Sequence, residues 1–266
     1  MRASRPLALL ALTLPLAAAA VSGCSSGGAQ GNDDILITPH GSGSPTVALT
    51  RPSGQASPAT PAEPAPSATP EPDPATSDPA TYDFAFPIEE ACLPSSDLLM
   101  PNAPREYRSG IHEGIDFYGV DNCVPITAGT PVLAVADGVV IRADLGYHDL
   151  TWEELDTLSR RVAGGDAGDP DVLDAFRGRQ VWIRHDNGVV TRYAHLEGIA
   201  DGVVEGGRVL RGEVIGYVGD SGTPESLTAP GTEYHLHFEI RVGDTFLGQG
   251  LPPDQVRALY QEAFTP

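Results

Sequence analysis

Ten of the chain's 25 prolines fall between Pro45 and Pro79, interleaved with Ala, Ser, Thr and acidic residues, as in Pro61-Ala62-Glu63-Pro64-Ala65-Pro66. No hydrophobic period, helical or strand-like, runs through Ser25 to Tyr82, and Ile35-Leu36-Ile37 is too short to supply one. Such a stretch cannot bury enough apolar surface to offset the entropy lost on ordering. It reads as a long disordered linker over 24–82, in which His40 is simply solvated. As a flexible coil its length spans roughly 40 Å on average, and roughly 180 Å as extended polyproline II. Any hydrophobic core must therefore come from residues 83–266.

Ahead of the linker stand Met1-Arg2-Ala3-Ser4-Arg5, an apolar run from Pro6 to Val21, and Val21-Ser22-Gly23-Cys24. A basic start, an apolar stretch shorter than the ~20 residues of a spanning helix, and small residues before a cut mark a secretory signal. The Val-Ser-Gly-Cys ending resembles the bacterial lipobox. That resemblance implies a lipoprotein signal peptide over 1–23 and an acylated Cys24. It also implies an exported protein, anchored through lipid to the outer face of the cell membrane and facing the cell wall. Two or more acyl chains hold a protein stably on a membrane, where one is marginal.

Charge narrows the chemistry. All 16 basic residues are Arg, against 36 acidic residues, for a net charge of −20. Without Lys there is no P-loop amine, no Schiff base and no Ser-Lys catalysis. So negative a chain argues against nucleic acid as a partner and against electrostatic docking on anionic lipid. Residues 83–266 carry 13 Arg and 30 acidic residues, a net of −17, so the acidity belongs to the folded part.

From Pro131 onward, short β-branched runs alternate with glycine-containing turns. Strands are expected over Pro131 to Ala136, Gly138 to Arg142, Gln180 to His185, Val189 to Ala194, Glu213 to Val218 and Tyr234 to Val242. Asp137-Gly138 and Asn187-Gly188 are tight-hairpin dipeptides, because Gly takes positive φ freely. The pattern predicts an all-β core: an antiparallel sheet, sandwich or partly open barrel. Thr151-Trp152-Glu153-Glu154 has capping-box spacing, with Leu155, Leu158 and Val162 following at helical intervals. Asp169-Pro170 is a second helix start, with a helix to Arg177. Residues 144–178 thus read as a helical insertion between two strands, and a short last helix is expected over Pro253 to Ala263.

Three segments carry candidate chemistry. In Tyr234-His235-Leu236-His237-Phe238-Glu239-Ile240, period two puts Tyr234, Leu236, Phe238 and Ile240 toward a core. His235, His237, Glu239 and Arg241 then line the other face. His112 and Asp116 are four apart, but Gly114 and the β-branched neighbours argue for a turn running into a strand rather than a helix. His195 ends the run Thr191-Arg192-Tyr193-Ala194. Two His and one carboxylate form a catalytic zinc set, since they leave a fourth position for water. His148 lies in the insertion and has no comparable setting.

Together these residues resemble the lysostaphin-type zinc endopeptidases, or LytM domains, which cut peptide bonds in bacterial peptidoglycan. The resemblance covers roughly Arg105 to Val242. It rests on His112-x-x-x-Asp116, Gly129-Thr130-Pro131-Val132, Ala136-Asp137-Gly138-Val139-Val140, Tyr193-Ala194-His195-Leu196, Val214-Ile215-Gly216-Tyr217-Val218-Gly219 and His235-Leu236-His237-Phe238-Glu239. It implies a LytM-like zinc peptidase domain over 83–266, with one zinc on His112, Asp116 and His237. His195 and His235 would be the catalytic pair, acting on stem or cross-bridge peptides. His235 is the expected general base, because it shares a strand face with His237. His195 would then bond the tetrahedral intermediate or protonate the leaving amine, and the two roles could be exchanged. Glu239 is placed to orient a ligand histidine, and Arg108 to contact substrate. The insertion and the loop Thr223-Pro224-Glu225-Ser226 depart from the family pattern.

Two other readings compete. One is a non-catalytic LytM-like module that binds wall peptide or activates a partner hydrolase, since some family relatives have lost their ligands. The other takes Gly219-Asp220-Ser221-Gly222 as a serine-protease nucleophile, but the domain is short for the two barrels such an enzyme needs. Cys92 and Cys123 flank the His112–Asp116 segment. With Cys24 assigned to lipid, two thiols in an exported protein are most simply a disulfide, zinc ligation by Cys being the alternative.

Overall fold

The computed structural model describes residues 82–119 and 121–264. Cys24, His40 and the linker prolines lie outside the described residues. Strands β1 (Pro104–Arg105) and β2 (Gly110–Ile111) form a small antiparallel pair, followed at once by β3 (Ile115–Phe117). Then come β4 (Pro131–Leu133), β5 (Gly138–Ala143), helices α1 (Trp152–Gly164) and α2 (Pro170–Arg177), β6 (Val181–Arg184) and β7 (Val190–Ala194). The chain continues through β8 (Leu196–Ile199), β9 (Arg208–Val209), β10 (Val214–Val218), a single-turn α3 (Glu225–Thr228), β11 (Leu236–Val242), β12 (Thr245–Phe246) and α4 (Pro253–Ala263).

The larger sheet runs β12-β11-β7-β6-β5-β9, with β3 also pairing β11, and a smaller sheet runs β4-β10-β8. Every ladder is antiparallel. The architecture is therefore the expected all-β core with a helical insertion and a C-terminal helix. Leu236, Phe238 and Ile240 of β11 have no exposed surface and pack in one core with Ile115, Phe117, Ile183, Tyr193 and Ile215. Each such side chain contributes roughly 1.5–3 kcal/mol by leaving water. Period two on β11 thus fixes which face is apolar, and the other face is left for His237 and Glu239.

The insertion fills the end of the β5–β6 hairpin, where Ala143 pairs with Val181. Helix α1 opens on the capping box: the Thr151 hydroxyl accepts from the Glu154 N–H at 3.3 Å, and Glu154 accepts from the Thr151 N–H at 2.8 Å. It stops at Gly165, whose φ of 105° suits glycine. Pro170 occupies the first turn of α2, but the Asp169 side chain ion-pairs with Arg161 at 2.9 Å instead of capping. Leu155, Leu158, Val172 and Phe176 form a cluster of their own, with Leu227 of α3 against it. Arg142 at the end of β5 holds α2 through Asp174 at 2.5 Å.

Some expectations need correcting. Asp137-Gly138 is not a hairpin turn: it carries the chain from β4 in the smaller sheet to β5 in the larger one. Gly138 is needed there because a Cβ would sit 2.5 Å from Ile183. The same crossing ends β4 at Leu133, earlier than Ala136. Tyr234 precedes β11 and is only partly buried. The Thr223–Ser226 stretch leads into α3 rather than remaining irregular.

Cys92 and Cys123 are disulfide-bonded, with 31 residues of sequence separation. Closing a loop of that length removes unfolded-state entropy on the order of 3–4 kcal/mol. Asn122 extends the tie, its amide donating to the Cys92 carbonyl at 2.8 Å and its Oδ1 accepting from the Tyr118 N–H at 2.8 Å. Replacing both cysteines with Ser should lower the thermal midpoint by several degrees without changing the far-UV spectrum. An unchanged midpoint would show that the bridge adds nothing to the fold.

Candidate metal centre and catalytic cleft

Strand register assembles the site. β11 pairs with β3 so that His237 stands opposite Asp116, and pairs with β7 so that His237 also stands opposite Ala194. The residue after Ala194 is His195, with φ of 59°, where the chain bends out of β7 into β8 of the other sheet. His112 lies four residues before Asp116, and Gly114 lets the intervening turn press onto β11. A Cβ at Gly114 would lie 2.3 Å from the Phe238 carbonyl oxygen. The turn that spaces His112 from Asp116 therefore needs glycine for close approach rather than for its φ.

His112 Nε2 lies 2.9 Å from Asp116 Oδ1 and 3.0 Å from His237 Nδ1, and the latter pair closes at 2.8 Å. The remaining polar atom of each residue is tied outward. His112 Nδ1 donates to the Met100 carbonyl at 3.0 Å, Asp116 Oδ2 accepts from Arg105 at 2.6 Å, and His237 Nε2 meets Glu239 Oε1 at 3.0 Å. With both imidazole hydrogens engaged outward, three lone pairs converge on one point. A proton can satisfy two of them, but a cation satisfies all three. Two imidazoles and one carboxylate, all buried, form a group that could hold a metal ion, and they suit zinc with a position left open.

The field around the cluster agrees with that chemistry. Burial lowers the His112 pKa to about 4, although Asp116 opposes it. Burial also lowers His237, but its hydrogen bonds to Asp116 and Glu239 outweigh this and the net direction is up. Burial would raise the Asp116 carboxyl, yet His112 and His237 hold it well below its usual range. The carboxylate is thus held ionised, as a metal ligand requires.

Two further imidazoles border the cluster. His195 Nδ1 donates to the Ser221 carbonyl at 2.8 Å, and His235 Nδ1 donates to the Glu233 carbonyl at 2.7 Å. A carbonyl only accepts, so both neutral rings carry hydrogen on Nδ1 and offer a bare Nε2. Their ring centroids are 4.5 Å apart, and His235 Nε2 lies 3.8 Å from Asp116. Burial lowers the pKa of His235, and that of His195 well below the ordinary value.

Residues 163–249 match the model of peptidase family M23. Over that span the chain is similar to peptidase family M23. It is 34% identical over 146 residues to the DD-carboxypeptidase/endopeptidase Mpg of Neisseria meningitidis, covering 55% of this chain and 23% of that one. It is 31% identical over 124 residues to the peptidoglycan DD-endopeptidase ShyC of Vibrio cholerae, covering 47% and 20%. The chain thus spans less than a quarter of either relative. Among solved structures, a zinc containing peptidase from Vibrio cholerae aligns at 24% identity with a TM-score of 0.39, covering 64% of this chain and 41% of that one.

The matched span holds His195, His235, His237 and Glu239 but stops short of His112 and Asp116. β3 brings those two in by pairing with β11. His112, Asp116, His195, His235 and His237 line one cleft of about 490 Å³, together with Arg108. Arg108 is nearly buried, and its guanidinium donates to the Ile111 carbonyl. Glu239 has no exposed surface.

Other contributors were not picked out beforehand. Arg105 holds the outer oxygen of Asp116, and a contact between β1 and β3 has no periodic signature. Tyr118 stacks on His235 with centroids 4.4 Å apart and planes 8° from parallel, while its hydroxyl donates to Glu233 at 2.8 Å. That one was readable, since residues 116 and 118 share a strand face. Leu173 and Phe176 of α2 line one wall of the cleft, so the insertion helps shape it.

The remaining histidines lie elsewhere. His148 is exposed beside Tyr147. His185 bonds the Asp137 carbonyl and Thr191 within the core. Ser221 contributes its carbonyl to His195, while its hydroxyl accepts from the Arg179 N–H at 2.9 Å. Ser221→Ala should therefore retain most of any hydrolytic activity. Complete loss with zinc and fold intact would revive a nucleophilic serine.

Proposed function

We propose that the domain is a zinc metalloendopeptidase that hydrolyses peptide bonds in peptidoglycan. The observation that carries this reading is the convergence of His112 Nε2, Asp116 Oδ1 and His237 Nδ1 beside two base-competent imidazoles. The named activities of the M23 relatives support peptidoglycan as the substrate. His112, Asp116 and His237 would hold the ion, which when bound supplies Lewis acidity, acidifying water and polarising a carbonyl.

The chain's own residues supply the proton chemistry. His235 Nε2 takes the proton of the attacking water, because the imidazolium formed would have Asp116 at 3.8 Å and Glu233 beside it. The same Nε2–H then passes the proton to the leaving amine. His195 sits where charge is more strongly disfavoured. As a neutral ring it can accept a hydrogen bond at Nε2 but has no proton there for an oxyanion. Its proposed role is thus to orient the attacking water, rather than to bond the tetrahedral intermediate. Tyr118, whose pKa is pushed up by burial and by Asp116, keeps its proton and fixes the His235 ring plane.

We further propose that Cys24 anchors the chain to the membrane through lipid, with the linker holding the domain toward the wall. No described helix is long and apolar enough to cross a membrane. Fractionation of wild type and Cys24→Ser tests the anchor, which requires the variant to move to the soluble fraction. For the activity, mass spectrometry of muropeptides after digestion of purified peptidoglycan identifies the bond cut. A domain that co-sediments with peptidoglycan and releases nothing would favour the non-catalytic binding module.

A further inference from the structure

The insertion does more than line the cleft. Its last helical residue, Arg177, is nearly buried and reaches under β11. Arg177 Nε donates to Glu239 Oε1 at 2.6 Å, and its terminal nitrogen donates to Glu113 at 2.7 Å. Glu239 Oε1 is the same oxygen that meets His237 Nε2 at 3.0 Å. Arg192 and Arg241 approach only the other oxygen, at 3.4 and 3.3 Å. Meanwhile the Arg177 carbonyl accepts from the His195 N–H at 2.8 Å. Gly178 allows this approach: a Cβ there would lie 2.2 Å from the Ser221 carbonyl oxygen that holds His195.

We infer that Arg177 is a positioning residue, locking Glu239 so that the His237 ring presents Nδ1 to the metal, and that the helical insertion is thereby an integral part of the metal site. This rests on the zinc reading given above. A guanidinium suits the task because its planar fork bonds two carboxylates at fixed angles, which a single ammonium cannot reproduce. Outer partners of ligand histidines typically alter metal affinity by about 10–100-fold when removed.

Sign separates positioning from simple electrostatics. Removing a positive charge close to a cation site should tighten binding if charge alone mattered, whereas loosening the His237 ring should weaken it. Zinc affinity of the full domain is measured by competition with a chromophoric chelator for wild type, Arg177→Gln and Arg177→Lys. We expect both variants to bind about tenfold or more weakly; the Lys variant keeps the buried charge and should melt close to wild type without metal, whereas the Gln variant leaves Glu113 and Glu239 less compensated and should melt lower. On saturation with zinc, kcat should recover further than affinity does. If the Gln variant does not fold, Arg177→Lys retains the buried charge and carries the test. Wild-type affinity in the Lys variant, or tighter binding in the Gln variant, would overturn the inference. A wild type that binds zinc but cleaves nothing would sink the hydrolase reading alone, since affinity is read without turnover.

Discussion

His237→Ala should leave the domain without stoichiometric zinc and lower peptidoglycan hydrolysis by about three to four orders of magnitude. His237 is the residue on which the two sides of the sheet meet, facing Asp116 across β3 and Ala194 across β7. Removing its ring leaves His112 and Asp116, too few donors for a closed catalytic set. Lewis-acid activation contributes several kcal/mol, and each 1.4 kcal/mol is about tenfold in rate. Glu239 loses one partner but keeps Arg177 at 2.6 Å, so the fold should survive. Metal analysis of the dialysed protein checks the first half, and release of wall fragments the second. A variant holding one zinc per chain would mean that the ligands lie elsewhere.

His195→Ala is expected to separate catalysis from metal binding. Its ring is held by the Ser221 carbonyl and offers nothing to the donor set except proximity, its centroid lying 5.8 Å from that of His237. Zinc should therefore remain, while kcat falls by about two orders of magnitude, the cost of a misplaced attacking water. KM should change little. His235→Ala should lose a comparable factor and in addition flatten the acidic limb of the pH–rate profile. That limb reports protonation of the base, because a base with a depressed pKa works only above it. If His195→Ala keeps near-wild-type kcat, His195 does not orient the attacking water.

Much of this site could be read from the chain, and the reasons are local. Period two along Tyr234–Ile240 places His237 and Glu239 opposite Leu236 and Phe238 whatever the rest of the fold does. The boundaries of α1, α2 and α4 follow from a capping box and from Pro at a helix start, which are short-range signals. What was not legible depends on which strands meet. Asp137-Gly138 has hairpin chemistry, but the chain there changes sheets, a choice made by β4 pairing with β10. Arg105 on Asp116 and Arg177 on Glu239 join residues 11 and 62 positions apart, and charge pairing at that range leaves no period. Glu239 on β11 has no exposed surface, and α2 delivers Arg177 onto it. An insertion read only as an interruption gives no hint of that. The net of −17 on residues 83–266 also takes on a location: its acidic side chains include the donor-set Asp116 and the carboxylates that hold Arg177 and Tyr118.

Zinc on the buried His-Asp-His cluster is proposed to drive peptide-bond hydrolysis in the wall. New amino termini are counted when purified peptidoglycan is incubated with chelator-stripped protein before and after adding one equivalent of zinc. No new amino groups are expected from the stripped protein, and their steady release is expected once zinc is restored. Equal release in both states, or none in either, would contradict the proposal.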